Sequence, residues 1–235
     1  EGVYTDLLRD TLTSKGYSAL DADPSIYQKC NIPDNASCYQ KNGTGRIEWI
    51  LVPVYVDDLY PTFSSQSLRD ELWDIVSTRF QLKNLGPLRY SLGINFSIDC
   101  KLGVIKLDQS GQKKRILSYS GMDNCSEKPT PMVPGLHLSQ PTEIITLEEK
   151  TQVALFPYRS IVQKINYVAL ATAPDLSQVV SLLARFVNDP RLVHIRACKR
   201  LLQYLKSTIH QALIFTRQKV TPFSRIVAFA DASFA

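Results

Sequence analysis

The sequence has no apolar run approaching the roughly 20 residues that a membrane-spanning helix needs, and its start, EGVYTDLLRD, carries no signal-peptide pattern. A soluble intracellular protein is the resulting expectation. Cys-X-X-Cys pairs are also missing: the five cysteines, Cys30, Cys38, Cys100, Cys125 and Cys198, are an odd number with no histidine at zinc-ligand spacing. They read as reduced thiols, which argues against a disulfide framework and a structural zinc site. Histidine is scarce, and His137, His194 and His210 are too widely separated to suggest a ligand set, so each reads as a surface or packing residue. Apolar content is not scarce. At 44% hydrophobic over 235 residues, the chain can bury a sizeable core in one large domain or two smaller ones.

Between residues 191 and 206 acids are absent, while Arg191, Arg196, Lys199, Arg200 and Lys206 are all present. Such a run is ordinarily a solvated helix face, and it is also how a phosphate-binding surface looks. Most of the acids fall in the first hundred residues. A net charge of +5 therefore conceals an acidic half and a basic half.

Periodicity supplies the elements. Val3, Tyr4, Leu7, Leu8 and Leu12 share a helical face over residues 3 to 15, with Gly16 as the stop. Strands are predicted at 24 to 30 and 38 to 42, followed by the turn signal NGTG and a strand over 47 to 56. That last strand is apolar on both faces, which predicts a central strand covered on two sides. Ser64 and Ser65 are candidate caps for a helix with the stripe Leu68, Leu72, Ile75, Val76 and Phe80. Residues 85 to 99 and 103 to 109 read as a hairpin, and a short basic helix runs from Ser110 to Gly121. The segment 127 to 150 holds four prolines and little periodicity, so a linker and domain boundary are expected there. Three helical patterns follow, with Pro157, Pro174 and Pro190 near their starts. Strands ALIFT (212 to 216) and RIVAFAD (225 to 231) close the chain, and the two are candidates to pair.

The stretch ILVPVYVDDLY, residues 50 to 60, runs an apolar strand straight into Asp57 and Asp58. Adjacent carboxylates repel, and near an apolar strand they are expected to lose hydration, so something should reward the placement. A divalent cation would, because Mg²⁺ takes carboxylate and phosphate oxygens. An ordinary Asp-containing turn is the plain alternative.

YVDD flanked by apolar residues resembles the catalytic hairpin of reverse transcriptases. Further blocks are similar, in order, to the Ty1/copia type of retrotransposon polymerase: LKNLGPLRYSLGINF, GMDNCSEKPTPM, the helical stretch YRSIVQKINYVALATAPDLSQVVSLLARFVNDPRLVHIRACKRLLQYLKST, and the closing AFADASFA, which resembles the first ribonuclease H strand. The resemblance implies that Asp57 and Asp58 hold Mg²⁺ or Mn²⁺, with Asp57 the direct ligand, and that Tyr55 and Val56 border the primer terminus. It implies a primer-gripping hairpin around Leu92 and Gly93, and a first ribonuclease H aspartate in Asp231. Arg196, Lys199, Arg200 and Lys206 are the candidate contacts to template-primer phosphates, with Lys113, Lys114 and Arg115 as a second candidate set. The partners implied are a template-primer duplex and a dNTP, in cytoplasmic particles or the nucleus, with no membrane.

The pattern also departs from the family. The third carboxylate of such sites lies upstream of residue 1, Ser233 stands in place of a second aspartate, Gln163 and Lys164 replace small residues, and Ala173 replaces an arginine. The expected architecture is α+β: a partial palm over 1–107, a thumb-side segment and linker over 108–150, a helical connection over 151–217 and a truncated ribonuclease H start over 218–235. The expected function is a fragment of an RNA-directed DNA polymerase, inactive alone. The alternatives are a non-catalytic nucleic-acid-binding remnant, and a structural protein whose aspartates are only a turn.

Overall fold

A computed structural model describes residues 2–31, 48–136, 138–139 and 145–217. The expected strands at 38 to 42 and 225 to 231, the NGTG turn and Asp231 lie outside them. The chain is α+β and divides into two compact units, Glu1–Leu88 and Arg89–Ala235. Among the described residues no helix is long and apolar enough to cross a membrane.

In the first unit, α1 (Gly2–Thr13) ends as its sequence dictates. Gly16 takes φ 84°, the Tyr17 N–H donates to the Leu12 carbonyl at 3.2 Å, and the Gly16 N–H donates to that of Thr13 at 3.1 Å. This is a Schellman closure, and the accompanying apolar contact is supplied by buried Leu12 and Tyr17. Strands β1 (Ser18–Ala19), β2 (Ile26–Asn31) and β3 (Glu48–Tyr55) run antiparallel. Along its other edge β3 takes two short partners, β4 (Asp58–Leu59) and β5 (Thr62–Phe63). Between them the Pro53 carbonyl accepts the Tyr60 N–H at 2.9 Å. Helix α2 (Gln66–Ser77) contributes Leu68, Leu72, Ile75 and Val76 to a core shared with Leu8, Leu12, Ile50 and Val52.

Two expectations need correction in this unit. Strand β3 is central, but only the face of Ile50 and Val52 is buried; on the other face Trp49 is 38% and Tyr55 54% exposed. The helices of this unit pack on one side only. The serines divide their tasks: Ser65 is the N-cap by backbone geometry without a side-chain bond, whereas the Ser64 hydroxyl accepts the Trp49 N–H at 2.9 Å.

The second unit holds a four-stranded antiparallel sheet in the order β6 (Tyr90–Ser91), β7 (Ile94–Asp99), β8 (Val104–Asp108) and β9 (Leu213–Thr216). Its helices are α3 (Ser110–Tyr119), α4 (Leu147–Ala154), α5 (Tyr158–Ala171), α6 (Ser177–Ala184) and α7 (Leu192–Ser207), with a 3₁₀ turn at Pro174–Leu176. The core is built from the predicted stripes: Ile161, Ile165, Val180, Leu183, Leu201 and Leu205 are all buried. The four cysteines described are free thiols, and burial pushes that of Cys198 up to about 12.

The proline-rich segment differs from the expected linker. Met132, Leu136 and Leu138 pack against the helical core, and residues 125 to 130 are strapped along α7. Helix α4 was missed in the sequence, although its capping pattern is visible: the Thr146 hydroxyl accepts the Glu149 N–H at 3.2 Å. The Glu149 carboxylate in turn accepts the Leu192 N–H at 3.2 Å, placing negative charge at the start of α7.

Both ends of α7 are closed by unusual groups. Buried His194 accepts the Arg191 N–H at Nδ1 (3.0 Å), reaches the Ser139 carbonyl through Nε2 (3.2 Å) and stacks on Phe186 at 3.9 Å. Only a neutral imidazole with its proton on Nε2 satisfies both bonds. At the other end, Lys113 corrects its expected role on a phosphate-binding surface: it is 1% exposed, and its Nζ donates to the carbonyls of Thr208 (2.8 Å) and Gln211 (3.0 Å). A cation at a helix C-terminus satisfies carbonyls that have no partner in the helix.

Replacing Lys113 by Met keeps most of the aliphatic stem and removes the donor. The unfolding free energy should fall by about 2 kcal/mol, measured as a lower urea midpoint at unchanged m-value; an unchanged midpoint would show that the helix end does not depend on this lysine. Burial lowers the pKa of His194 from its ordinary 6.5, so the unfolded chain takes up the proton more readily than the folded one. The contribution of His194 to stability should therefore be intact above about pH 7 and decline as pH drops through 6.5 and below. NMR titration of its ring should give a midpoint below 6.5, and a midpoint at or above that value would refute the neutral-imidazole closure.

Candidate functional site

Strand β3 and its return β4 place the acidic doublet at a hairpin tip. Tyr55 pairs with Asp58, leaving Val56 and Asp57 as a two-residue turn. Val56 has φ 53° and Asp57 does not share its left-handed backbone, the type II′ pattern. Glycine is the usual occupant of that first position, and a β-branched residue there is a true outlier, costing on the order of 1–3 kcal/mol. Only Val56 and Leu92, among the described non-glycine residues, have positive φ. Both stand among the site residues expected from the sequence.

The expected loss of hydration does not occur: Asp57 and Asp58 are both exposed, as are Tyr55 and Val56. Their repulsion is thus screened by water. Asp58 accepts a hydrogen bond from the Tyr60 hydroxyl at 3.1 Å, while the Asp57 carboxylate accepts none among the described residues. A residue not picked out as functional from the sequence joins them. Tyr4, near the start of α1, packs edge-on to Phe80 with ring centroids 5.0 Å apart. Its phenol is pushed above 10 by burial first and then by the negative charges of Asp57 and Asp58. The available signal was its place at the head of the Tyr4, Leu8 helical stripe, which reads simply as core.

The donor set at the tip is two hard carboxylates. No group of three or more His, Cys, Asp or Glu residues suited to a metal ion occurs among the described residues. The fit to Mg²⁺ or Mn²⁺ is therefore partial, with the remaining positions left to water and substrate oxygens, as is common for Mg²⁺.

The second unit carries the other candidates. Leu92 and Gly93 form the two-residue turn between β6 and β7, closed by the Ser91–Ile94 pair. With φ 51° and 74° they follow the type I′ pattern. The Tyr167 hydroxyl of α5 donates to the Leu92 carbonyl.

The basic residues of α7 separate into two kinds. Arg200 donates to the Thr130 hydroxyl at 2.8 Å and Lys206 to the Cys125 carbonyl at 2.8 Å, so both hold the strap described above. Gln203 and Ser207 on the same face assist, bonding Ser126 at 3.0 Å and Lys128 at 2.9 Å. Arg196 and Lys199 are exposed, with the Lys199 Nζ lying 5.6 Å from the Phe156 ring centre. Lys114 and Arg115 are exposed on α3, unlike buried Lys113. Asp231 is outside the described residues.

Comparison with known proteins supplies the family. Residues 26–134 match the family described as reverse transcriptase (RNA-dependent DNA polymerase). The chain is 29% identical over 204 residues to the retrovirus-related Pol polyprotein from transposon TNT 1-94 of Nicotiana tabacum, covering 87% of this chain and 14% of that protein. It is 32% identical over 187 residues to an uncharacterized mitochondrial protein of Arabidopsis thaliana, covering 77% of this chain and 70% of the relative. The Pol polyprotein from transposon RE1 of Arabidopsis thaliana is 30% identical over 190 residues, covering 77% of this chain and 12% of that protein. This chain thus spans a small part of the polyproteins it matches. No solved structure matches it.

The backbone at Val56 gives a direct check. Val56→Gly relieves the left-handed strain at the cost of unfolded-chain entropy, so stability should be unchanged or higher by up to about 1 kcal/mol. Val54→Gly, in the extended part of β3, should lose about 1 kcal/mol or more. Urea unfolding of both variants decides: equal losses at the two positions would mean that the turn is not strained.

Proposed function

Since this chain belongs to the reverse transcriptases of Ty1/copia-type retrotransposons, we propose that its Tyr55–Asp58 hairpin is the carboxylate-bearing tip of an RNA-directed DNA polymerase site. The observation that carries this reading is a backbone one: a β-branched residue is held at φ 53° beside two exposed aspartates. Strained backbone gathers at functional sites because the surrounding structure must hold it there.

On this reading Asp57 and Asp58 hold Mg²⁺ or Mn²⁺, with Asp57 the direct ligand because its carboxylate carries no competing hydrogen bond among the described residues. The ions would supply a clamp on the attacking and leaving oxygens of nucleotidyl transfer. Tyr60 restrains Asp58, and Tyr55 and Val56 border the primer terminus. Residues 1–107 act as a partial palm, 108–150 as a thumb-side segment, 151–217 as a helical connection, and 218–235 as the start of a ribonuclease H domain with Asp231 as its first carboxylate. The substrates are a template-primer duplex and a dNTP, handled inside the cell in particles or the nucleus. The Leu92–Gly93 turn approaches the primer, and the exposed cations Arg196 and Lys199 meet phosphates. Arg200 and Lys206 act there through the strap they hold.

A second reading is favoured by one observation: among the described residues no third carboxylate joins the pair. In that reading the 235 residues bind nucleic acid and do no chemistry.

The 235-residue polypeptide should bind an RNA–DNA duplex with affinity that falls steeply with salt. The double variant Arg196→Ala, Lys199→Ala should flatten the log–log slope by about 1 for each phosphate no longer neutralised. The unaltered polypeptide should extend no primer with either Mg²⁺ or Mn²⁺. Extension that disappears in Asp57→Asn would overturn the inactivity of this polypeptide and the second reading together, and salt-independent binding, or none, would remove the nucleic-acid assignment.

A further inference from the structure

In a two-residue hairpin turn the central peptide lies outside the strand ladder. At the β6–β7 turn that peptide joins the Leu92 carbonyl to the Gly93 N–H, and the flanking Ser91–Ile94 pair leaves both groups unserved. Leu92 is exposed, so water could serve this carbonyl, yet the structure gives it a donor within the protein. It lies 75 residues away in the chain, at the hydroxyl of Tyr167. That donor is delivered by a rigid element, since Ile165, Val168 and Ala169 on either side of Tyr167 are buried in the helical core. The ring also abuts the turn: a Cβ added at Gly93 would lie 3.9 Å from Tyr167 Cε1.

Turn types I′ and II′ differ chiefly in the direction of this peptide, so a fixed donor on one side selects one of them. The φ values of 51° and 74° at Leu92 and Gly93 are those of the selected form. Because carbonyl and N–H point oppositely across a trans peptide, anchoring the Leu92 oxygen toward α5 sends the Gly93 N–H away from it. That N–H has no partner among the described residues. Outward backbone amides are common donors to phosphate oxygens.

We propose that Tyr167 is a positioning residue for nucleic-acid binding: its hydroxyl fixes the Leu92–Gly93 peptide so that the Gly93 N–H is offered to a phosphate oxygen of the primer strand. The phosphate half of this inference rests on the polymerase reading above; the turn-locking half does not.

Tyr167→Phe retains the ring and deletes only the donor. In the free 235-residue protein, ¹⁵N relaxation should show the Gly93 amide gaining motion or exchange broadening, with the amides of α5 and the melting temperature unchanged. A merely structural role for Tyr167 would instead disturb α5 and lower the melting temperature. Affinity for a fluorescein-labelled RNA–DNA duplex, read by anisotropy, should weaken about three- to tenfold, the worth of one neutral hydrogen bond. The slope of affinity against salt should stay the same, since no charge is removed. A Gly93 amide that is equally rigid in the variant overturns the inference outright. A loosened amide with undiminished affinity overturns the phosphate contact. Failure of the unaltered protein to bind duplex at all overturns the polymerase reading and the phosphate half with it, while the relaxation data still decide whether Tyr167 locks the turn.

Discussion

Among the described residues two hairpins reverse direction in only two residues, and each forces an L-residue into the left-handed backbone region, Val56 at 53° and Leu92 at 51°. Each such placement costs on the order of 1–3 kcal/mol, a noticeable share of the roughly 5–15 kcal/mol that a domain typically has in hand. It persists only where neighbouring structure leaves the turn no alternative. At Val56 the constraint comes from β3, which is paired along both edges and pinned by the buried Ile50 and Val52. At Leu92 it comes from α5, through the Tyr167 hydroxyl. The exposed groups at the two tips owe their placement to those supports.

The cations show how little a net charge says about a surface. Of the basic residues on α3 and α7, Lys113 is consumed in closing the end of α7, and Arg200 and Lys206 are consumed in holding residues 125 to 130 against it. This division follows from the helix itself. Positions 200, 203 and 207 share a single face, so a segment held against that face is within reach of Arg200, Gln203 and Ser207, with Lys206 beside them. Arg196 and Lys199 remain exposed at the surface. A lysine stem is long enough to bury while its ammonium finds carbonyls, and a run of basic residues in sequence cannot distinguish that use from an open phosphate-binding face.

Local chemistry was legible; one-sided burial and long-range capping were not. The stop at Gly16, the return strand after Asp57 and Asp58 and the three stripes of α5, α6 and α7 follow from signals within a few residues. The turn at 92–93 came only from the family resemblance, the local pattern of 85 to 99 having read as one arm of a hairpin with 103 to 109. Helix α4 carried such a signal in Thr146 and Glu149, but the surrounding prolines outweighed it. The apolar second face of β3 misled because Trp49 and Tyr55 carry large apolar surfaces and still end up partly in water. Lys113 could not be placed from sequence at all, since its partners at 208 and 211 are nearly a hundred residues away. The same holds for Tyr4, whose phenol feels the charges of a doublet more than fifty residues away in the chain.

The acidic doublet is informative for a reason other than its charge. Two unit charges about 4 Å apart in water repel by only about 1 kcal/mol, and salt reduces this further. With both carboxylates exposed, that repulsion is too small to demand a counter-ion. An ordinary turn could carry two aspartates at such a cost, and electrostatics alone therefore does not separate a catalytic tip from a plain one. The backbone separates them better. A plain turn has no need of valine at a left-handed position where glycine would relieve the strain, yet Val56 is exposed there, with Tyr55 beside it and a tyrosine hydroxyl restraining one of the two carboxylates. Stability is not the property that this combination improves. A turn whose backbone is held in a costly conformation by its neighbours is the kind found at ligand-binding tips, and that is the ground on which the polymerase reading of this hairpin is proposed.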